Sequence, residues 1–151
     1  MPLLTPAYHV ALVVPELDAG MAALTDALAI SWAEIQRRDV AFESPAGPRA
    51  TEMAYVYSLD GPPYLELIEQ RDGTIFATAG LHHLGVWCDD RPGESARLDG
   101  LGWPRETVGL APDGTWAGGL FHLVAGLRVE VVDIARSGPA LCRYLAGGDY
   151  R

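Results

Sequence analysis

Four side chains that can bind a metal ion or move a proton interrupt otherwise apolar stretches of this 151-residue chain. His9 and His83 each precede an apolar run, and Glu66 and Glu130 each stand inside one. A buried carboxylate is costly unless it is paired or coordinated. Imidazole nitrogens and carboxylate oxygens together suit Zn²⁺, Mn²⁺, Fe²⁺, Co²⁺ or Ni²⁺. The four residues therefore predict a site for one divalent metal ion.

The same four residues occupy repeated positions in the chain. His9 and the five residues after it align with His83 and its five successors, at an offset of 74 residues. Glu66 aligns with Glu130 at an offset of 64, so about ten loop residues are missing from the second copy. Taken singly, a histidine or glutamate in a strand is usually an ordinary core or ion-paired group. Their repetition indicates a duplicated unit whose two copies build one site.

Each copy of the repeat is predicted to fold as βαβββ, from its hydrophobic periodicity and turn residues. Strands are expected near 7–14, 32–42, 51–58, 63–69, 82–88, 104–111, 116–124 and 127–133. Helices are expected over 16–29 and 92–101, with one or two further helical turns within 137–146. Residues 70–80 form the linker between the copies.

The chain is thus predicted to be a single α+β domain over residues 1–151. Module 1 covers about 7–70, module 2 about 81–134, and a C-terminal tail 135–151. A four-stranded half of this size buries too little apolar surface to be stable alone. Two tandem βαβββ modules should therefore join into a curved mixed sheet around a central cup.

Side-chain alternation along a strand predicts which residues face that cup. His9 and His83 lie on the concave side, because the residues that alternate with them are aliphatic and suited to packing against helices. Ala11 and Gly85 are small residues beside the histidines and leave room there. His82 should point the opposite way from His83, toward the helices or the strand entrance.

Composition excludes several classes of function. The net charge is −9, and all 11 basic residues are arginine, so lysine Schiff-base and P-loop chemistry are absent and nucleic acid is not an expected partner. Two cysteines form neither a disulfide framework nor a zinc finger. With no signal-like N-terminus and no long apolar run, the protein is expected to be cytoplasmic and not to interact with membranes.

Two segments, YHVALVVPEL at 8–17 and LHHLGVWCDD at 81–90, resemble the module openings of the vicinal oxygen chelate superfamily. This superfamily includes glyoxalase I, methylmalonyl-CoA epimerase, fosfomycin-resistance enzymes, extradiol dioxygenases and bleomycin-binding proteins. The resemblance covers about 7–134 and implies a homodimer. It also implies metal ligands at His9, Glu66, His83 and Glu130, as in glyoxalase- and epimerase-like members. Fosfomycin enzymes and extradiol dioxygenases use only three of these positions.

The chemistry implied is that of a metal-dependent isomerase, epimerase or lyase acting on a small carbonyl or acyl substrate through an enolate. Glu130 or Glu66 is the candidate catalytic base, since a ligand carboxylate can leave the ion and take the proton. Two alternatives stay open on the same scaffold. One is a protein that binds or sequesters a small molecule, and the other is a metal-dependent oxygenase or cyclase.

Three further residues are candidates for the substrate pocket. His122 lies in the strand that pairs with the Glu130 strand and either lines the cup or sits at an edge, partly in solvent. Trp87 and Tyr57 are candidate pocket walls, although aromatic residues on strands more often belong to the core.

Overall fold

A computed structural model of the chain describes residues 7–43 and 46–150. In this part of the chain the order βαβββ occurs twice and is followed by a C-terminal helix. The elements are β1 His9–Val14, α1 Leu17–Leu28, β2 Gln36–Phe42, β3 Arg49–Tyr57, β4 Tyr64–Glu69, β5 Gly80–Cys88, α2 Arg91–Gly100, β6 Arg105–Leu110, β7 Trp116–Val124, β8 Leu127–Asp133 and α3 Ile134–Leu145. The predicted end residues 1–6 and 151 of the domain lie outside the described residues.

The strands close into a barrel in the order β1-β4-β3-β2-β6-β7-β8-β5. Within each module the first strand runs parallel to the fourth, and the other pairs are antiparallel. The modules join along two antiparallel seams, a long one between β1 and β5 and a short one between β2 and β6. The predicted α+β architecture, a curved mixed sheet around a central cup, is confirmed.

The helices pack on the outside of the barrel, as the alternation of β1 predicts. Ala11 and Val13 point inward and are fully buried in a cluster within the barrel. Leu12 and Val14 point outward and pack with Leu17 of α1. α2 covers the second module in the same way, against β6, β7 and β8. None of the described helices has the length and apolar character that crossing a bilayer requires.

The C-terminal helix α3 is longer than predicted and begins earlier. It starts at Ile134 because the carboxylate of Asp133 caps it, accepting hydrogen bonds from the backbone N–H groups of Ala135 and Arg136. Its Tyr144 is 1% exposed and donates its hydroxyl to the carbonyl oxygen of Glu34 at 2.6 Å. Helix α3, which follows module 2, is thereby tied to module 1.

Two predicted strand boundaries differ from those observed. β2 begins at Gln36 and not near residue 32, since Trp32 makes only an isolated bridge with Ser58. β5 begins at Gly80, two residues before its predicted start, because Gly80 pairs with Val13 across the β1–β5 seam. The other predicted elements are present within a few residues of their expected bounds.

Candidate metal centre

Four adjacent strands bring the predicted residues into two rows across the β1–β5 seam. In one row Glu66 of β4 is the partner of Ala11 of β1, which in turn faces His83 of β5. In the other row His9 faces Gly85, which is the partner of Glu130 of β8. The rows are related by the pseudo-twofold axis of the repeat. Each consists of a histidine, a small residue and a glutamate, and all four polar side chains point into the cup.

The four side chains meet at their tips. The Nε2 atoms of His9 and His83 are 2.9 Å apart. The Oε2 atom of Glu66 is 3.3 Å from Nε2 of His9 and 3.5 Å from that of His83. The Oε2 atom of Glu130 is 3.2 and 3.3 Å from the same two nitrogens. The structure thus brings together all four residues that the repeat singled out.

These separations fit a shared divalent ion. Nitrogen and oxygen ligands that lie about 2.0–2.2 Å from one ion are about 3.0–3.5 Å apart when they are neighbours in its coordination shell. The four donor atoms all lie within 4.8 Å of one another, close enough to approach one ion. Both imidazoles are at most 1% exposed, so bulk water does not compete for them. The donor set and its spacing could therefore hold a metal ion.

Two glycines leave the space that the cluster requires. A Cβ atom at Gly85 would lie 2.0 Å from Cε1 and 2.2 Å from Nδ1 of His9. A Cβ atom at Gly119 of β7 would lie 2.4 Å from Oε1 of Glu130. The room that we expected beside the histidine is thus filled by His9 itself, and Gly85 is what lets its imidazole reach the centre.

His82 does not point away from His83, contrary to the prediction. The β1–β5 register shifts between Ala11 and Leu12, so that β5 carries one extra residue at this point. Such a bulge breaks strict alternation and turns neighbouring side chains toward the same side. The Nδ1 atoms of His82 and His83 are consequently 2.7 Å apart. The ring of His82 packs against Phe76, with the centroids 4.7 Å apart.

The two imidazoles of the centre are supported differently on their far sides. Nδ1 of His83 has a hydrogen-bond partner in His82, whose Nε2 lies 2.8 Å from the carbonyl oxygen of Ile75. Nδ1 of His9 is buried and has no hydrogen-bond partner among the described residues. On its Nδ1 side, His83 is therefore held by a hydrogen bond, whereas the same side of His9 is held by packing against Gly85 and the ring of Tyr8.

The charges of the cluster shift the proton affinities of its members. Burial alone would lower the pKa of His83, but hydrogen bonds to Glu130 and Glu66 outweigh it and raise this pKa to about 9. Burial would raise the pKa of Glu130, but hydrogen bonds from His83 and His9 lower it below its usual range. Burial lowers the pKa of His82 to about 4. Without a metal ion, His83 thus keeps its proton beside the ionised carboxylate of Glu130.

A cavity of about 210 Å³ opens onto this centre. Its floor includes Glu66, His83 and Glu130, while His9 lies behind them. Its walls are mainly apolar and are formed by Val40, Phe42, Met53, Ile68, Phe76 and Phe121. Four tyrosines also line the cavity, and the predicted wall residue Tyr57 is one of them.

The other two predicted pocket residues do not line the cavity. His122 is fully buried between the barrel and α2, where it bonds to the hydroxyl of Ser95 at 2.9 Å and the carbonyl oxygen of Trp103 at 2.7 Å. It faces outward because Phe121, its neighbour on β7, pairs with Glu130 and takes the inward position. Trp87 stacks on Tyr8 with a centroid distance of 3.6 Å and belongs to the packing around α3.

Several cavity residues were not anticipated from the sequence. Arg38 of β2 is the one arginine that lines the cavity among the described residues, and Tyr150 reaches the cavity from the C-terminal tail. Arg38 donates a hydrogen bond to the backbone oxygen of Tyr150, and its guanidinium lies 5.6 Å from the centre of that ring. Burial raises the pKa of Tyr150 and of Tyr57, so both phenols stay neutral. No sequence pattern links residues 38 and 150.

Comparisons with known proteins agree with this architecture. The methylmalonyl-CoA epimerase of Streptomyces coelicolor, in complex with 2-nitronate-propionyl-CoA, superposes with a TM-score of 0.60 at 17% identity, covering 86% of this chain and 94% of that one. A hypothetical protein from Bacillus halodurans gives 0.61 at 11%, with 84% and 92% covered. The epimerase of Mycobacterium tuberculosis gives 0.58 at 15%, with 88% and 90% covered. At these identities the likeness establishes the fold.

Sequence comparison identifies the family. A search among curated proteins finds no significant match. Residues 8–117, however, match the family model described as the Glyoxalase/Bleomycin resistance protein/Dioxygenase superfamily, over most of the chain. The match agrees with the resemblance of the two module openings and with the paired βαβββ units. The chain therefore belongs to the Glyoxalase/Bleomycin resistance protein/Dioxygenase superfamily.

Proposed function

We propose that this protein is a metal-dependent isomerase, epimerase or lyase that acts on a small carbonyl or acyl substrate by removing a proton next to the carbonyl. The observation that carries the proposal is the meeting of His9, Glu66, His83 and Glu130 at the floor of a cavity. These four residues would hold the ion. Two nitrogens and two oxygens accept Zn²⁺, Mn²⁺, Fe²⁺, Co²⁺ or Ni²⁺.

When bound, a divalent ion supplies a Lewis acid that polarises the substrate carbonyl and makes the neighbouring C–H group more acidic. Glu130 is our first choice for the base, because its carboxylate is ionised and lies at the cavity floor. Glu66 is the second candidate, since it occupies the equivalent position in module 1. Return of the proton to the same carbon is epimerisation, and its return to the neighbouring carbon is isomerisation.

The walls of the cavity support a substrate that is partly apolar. The aromatic and aliphatic lining excludes water from the reacting carbon, and Arg38 offers one cation for an anionic or carbonyl group of the substrate. A volume of about 210 Å³ accommodates a small acyl or carbonyl group rather than a whole cofactor. The shared fold with methylmalonyl-CoA epimerases is compatible with an acyl substrate.

Metal analysis of the purified protein tests the first part of this proposal. We expect one divalent ion per chain after metal-replete purification, and its loss in His83→Ala. His122→Ala is the matched control, since it also removes a buried imidazole but leaves the cup intact. A wild-type chain that binds no divalent ion would refute the enzyme proposal and favour a protein that binds or sequesters small molecules.

Exchange of substrate protons tests the second part. A panel of α-carbonyl acids and acyl thioesters is incubated in D₂O with the metal-loaded protein, and deuterium at the α carbon is followed by NMR. We expect metal-dependent exchange with at least one member, and its loss in Glu130→Gln at equal metal occupancy. Oxygen consumption without exchange would instead identify an oxygenase.

A further inference from the structure

The geometry points to His82 as a positioning residue that fixes the tautomer of His83 and presents the Nε2 lone pair of His83 to the metal centre. This inference rests on the proposed metal site. It assigns a role to a side chain that the alternation of β5 would place on the other side of the sheet, and that lines neither the cavity nor the metal centre.

The carbonyl oxygen of Ile75 can only accept a hydrogen bond. Nε2 of His82 lies 2.8 Å from this oxygen, so it is Nε2 that carries a proton. Among the described residues no carboxylate contacts either nitrogen of His82, whose partners are this carbonyl and the ring of His83. The ring is 7% exposed and lies against Phe76 and Phe121, surroundings that favour the neutral form.

In neutral His82 a proton on Nε2 leaves Nδ1 with a free lone pair. Nδ1 of His83 is 2.7 Å from it and must therefore be the donor. Neutral His83 then carries its proton on Nδ1 and has its lone pair on Nε2, the atom that meets Glu66 and Glu130. The directions of both hydrogen bonds, from His83 to His82 and from His82 to Ile75, thus follow from one backbone carbonyl. The resulting tautomer of His83 has a lone pair on Nε2, as a metal ion bound there requires.

The β-bulge in β5 makes this arrangement possible. The register shift between Ala11 and Leu12 places His82 beside His83 and not on the opposite face. His9, the equivalent ligand of module 1, has no such partner on its Nδ1 among the described residues. The support is therefore specific to the second module, and His83 is the better preorganised of the two imidazoles.

The test measures metal affinity by isothermal titration with Zn²⁺ for the wild type and three variants. His82→Phe keeps an aromatic ring between Phe76 and Phe121 but removes the acceptor, and we expect affinity to fall about 10–100-fold, as for other outer partners of ligand histidines. His82→Asn offers its side-chain oxygen to Nδ1 of His83 and should recover most of that loss. His122→Phe alters a buried histidine outside the cup and should stay within about threefold of the wild type.

A second measurement needs no variant and so does not depend on whether His82→Phe folds. In long-range ¹H–¹⁵N spectra of the zinc-loaded wild type, Nδ1 of His83 should carry a proton while Nδ1 of His82 carries none. Coordination of zinc through Nδ1 of His83, or unchanged affinity in His82→Phe, would overturn the role of His82 while leaving the metal site standing. A wild type that binds no zinc would overturn the proposed function and this role together.

Discussion

Replacing Gly85 by alanine should disable the metal centre through a single added methyl group. The φ angle of Gly85 lies outside the left-handed region, so the substitution adds a side chain without backbone strain. The new Cβ would lie 2.0 Å from Cε1 of His9. To reach an ordinary carbon contact of about 3.5 Å, the imidazole must move by about 1.5 Å or the β1–β5 seam must open.

The expected magnitude follows from that displacement. Metal–nitrogen distances tolerate shifts of only about 0.2 Å, so a retreat of about 1.5 Å removes His9 from the coordination shell. We therefore expect metal affinity to fall by at least about 100-fold, beyond the 10–100-fold typical of changes to outer partners. Because His9 is fully buried, the overpacking should also destabilise the fold by about 1–3 kcal/mol.

Two comparisons isolate the clash with His9. Gly138→Ala in α3 is the matched control, since its Cβ would meet only Ile134, at an ordinary 3.6 Å, and should leave metal affinity unchanged. In a His9→Ala background the clash has no partner, so Gly85→Ala should then cost little stability, as a double-mutant cycle in urea would show. Metal affinity is measured by titration calorimetry and stability by urea unfolding followed by circular dichroism.

One result would refute the reasoning. If Gly85→Ala bound the metal within threefold of the wild type and unfolded at the same urea concentration, then His9 would not need the space that this glycine provides. In that case the pairing of His9 with Gly85 across the β1–β5 seam would not explain how the centre is assembled.

Three further predictions concern the same region. In the metal-free protein the raised pKa of His83 means that its protonated form stabilises the fold fully below about pH 6.5, and this stabilisation is lost as the pH rises through about 9. Urea midpoints measured in chelator across this window should therefore fall, and should fall less in Glu130→Gln. Gly119→Ala should displace Glu130, because its Cβ would lie 2.4 Å from Oε1, and proton exchange at equal metal occupancy should drop at least about tenfold. Ser95→Ala should leave Nε2 of His122 unpaired and lower stability by about 1–3 kcal/mol in urea, with metal affinity unchanged. Weaker metal binding in that last variant would contradict the separation of His122 from the cup.

Homodimerisation and a cytoplasmic location stay predictions, and analytical ultracentrifugation would test the first. The small-molecule substrate belongs to the proposed function, which the exchange experiment addresses.

The sequence by itself determined the repeat and the two faces of β1. A two-residue period along β1 was enough to place His9 inward, and Leu12 and Val14 outward against α1, because one face of each strand must be apolar where it meets a helix. The duplication then placed His83 and Glu130 by analogy with His9 and Glu66.

Tertiary structure decided what depends on the pairing register between strands. The bulge opposite Ala11 turned His82 inward, and the pairing of Phe121 with Glu130 turned His122 outward. Arg38 and Tyr150 meet only because α3 folds back across the modules. Contacts with partner strands and with the C-terminal segment set these positions, and the periodicity of a single strand holds no information about its partners.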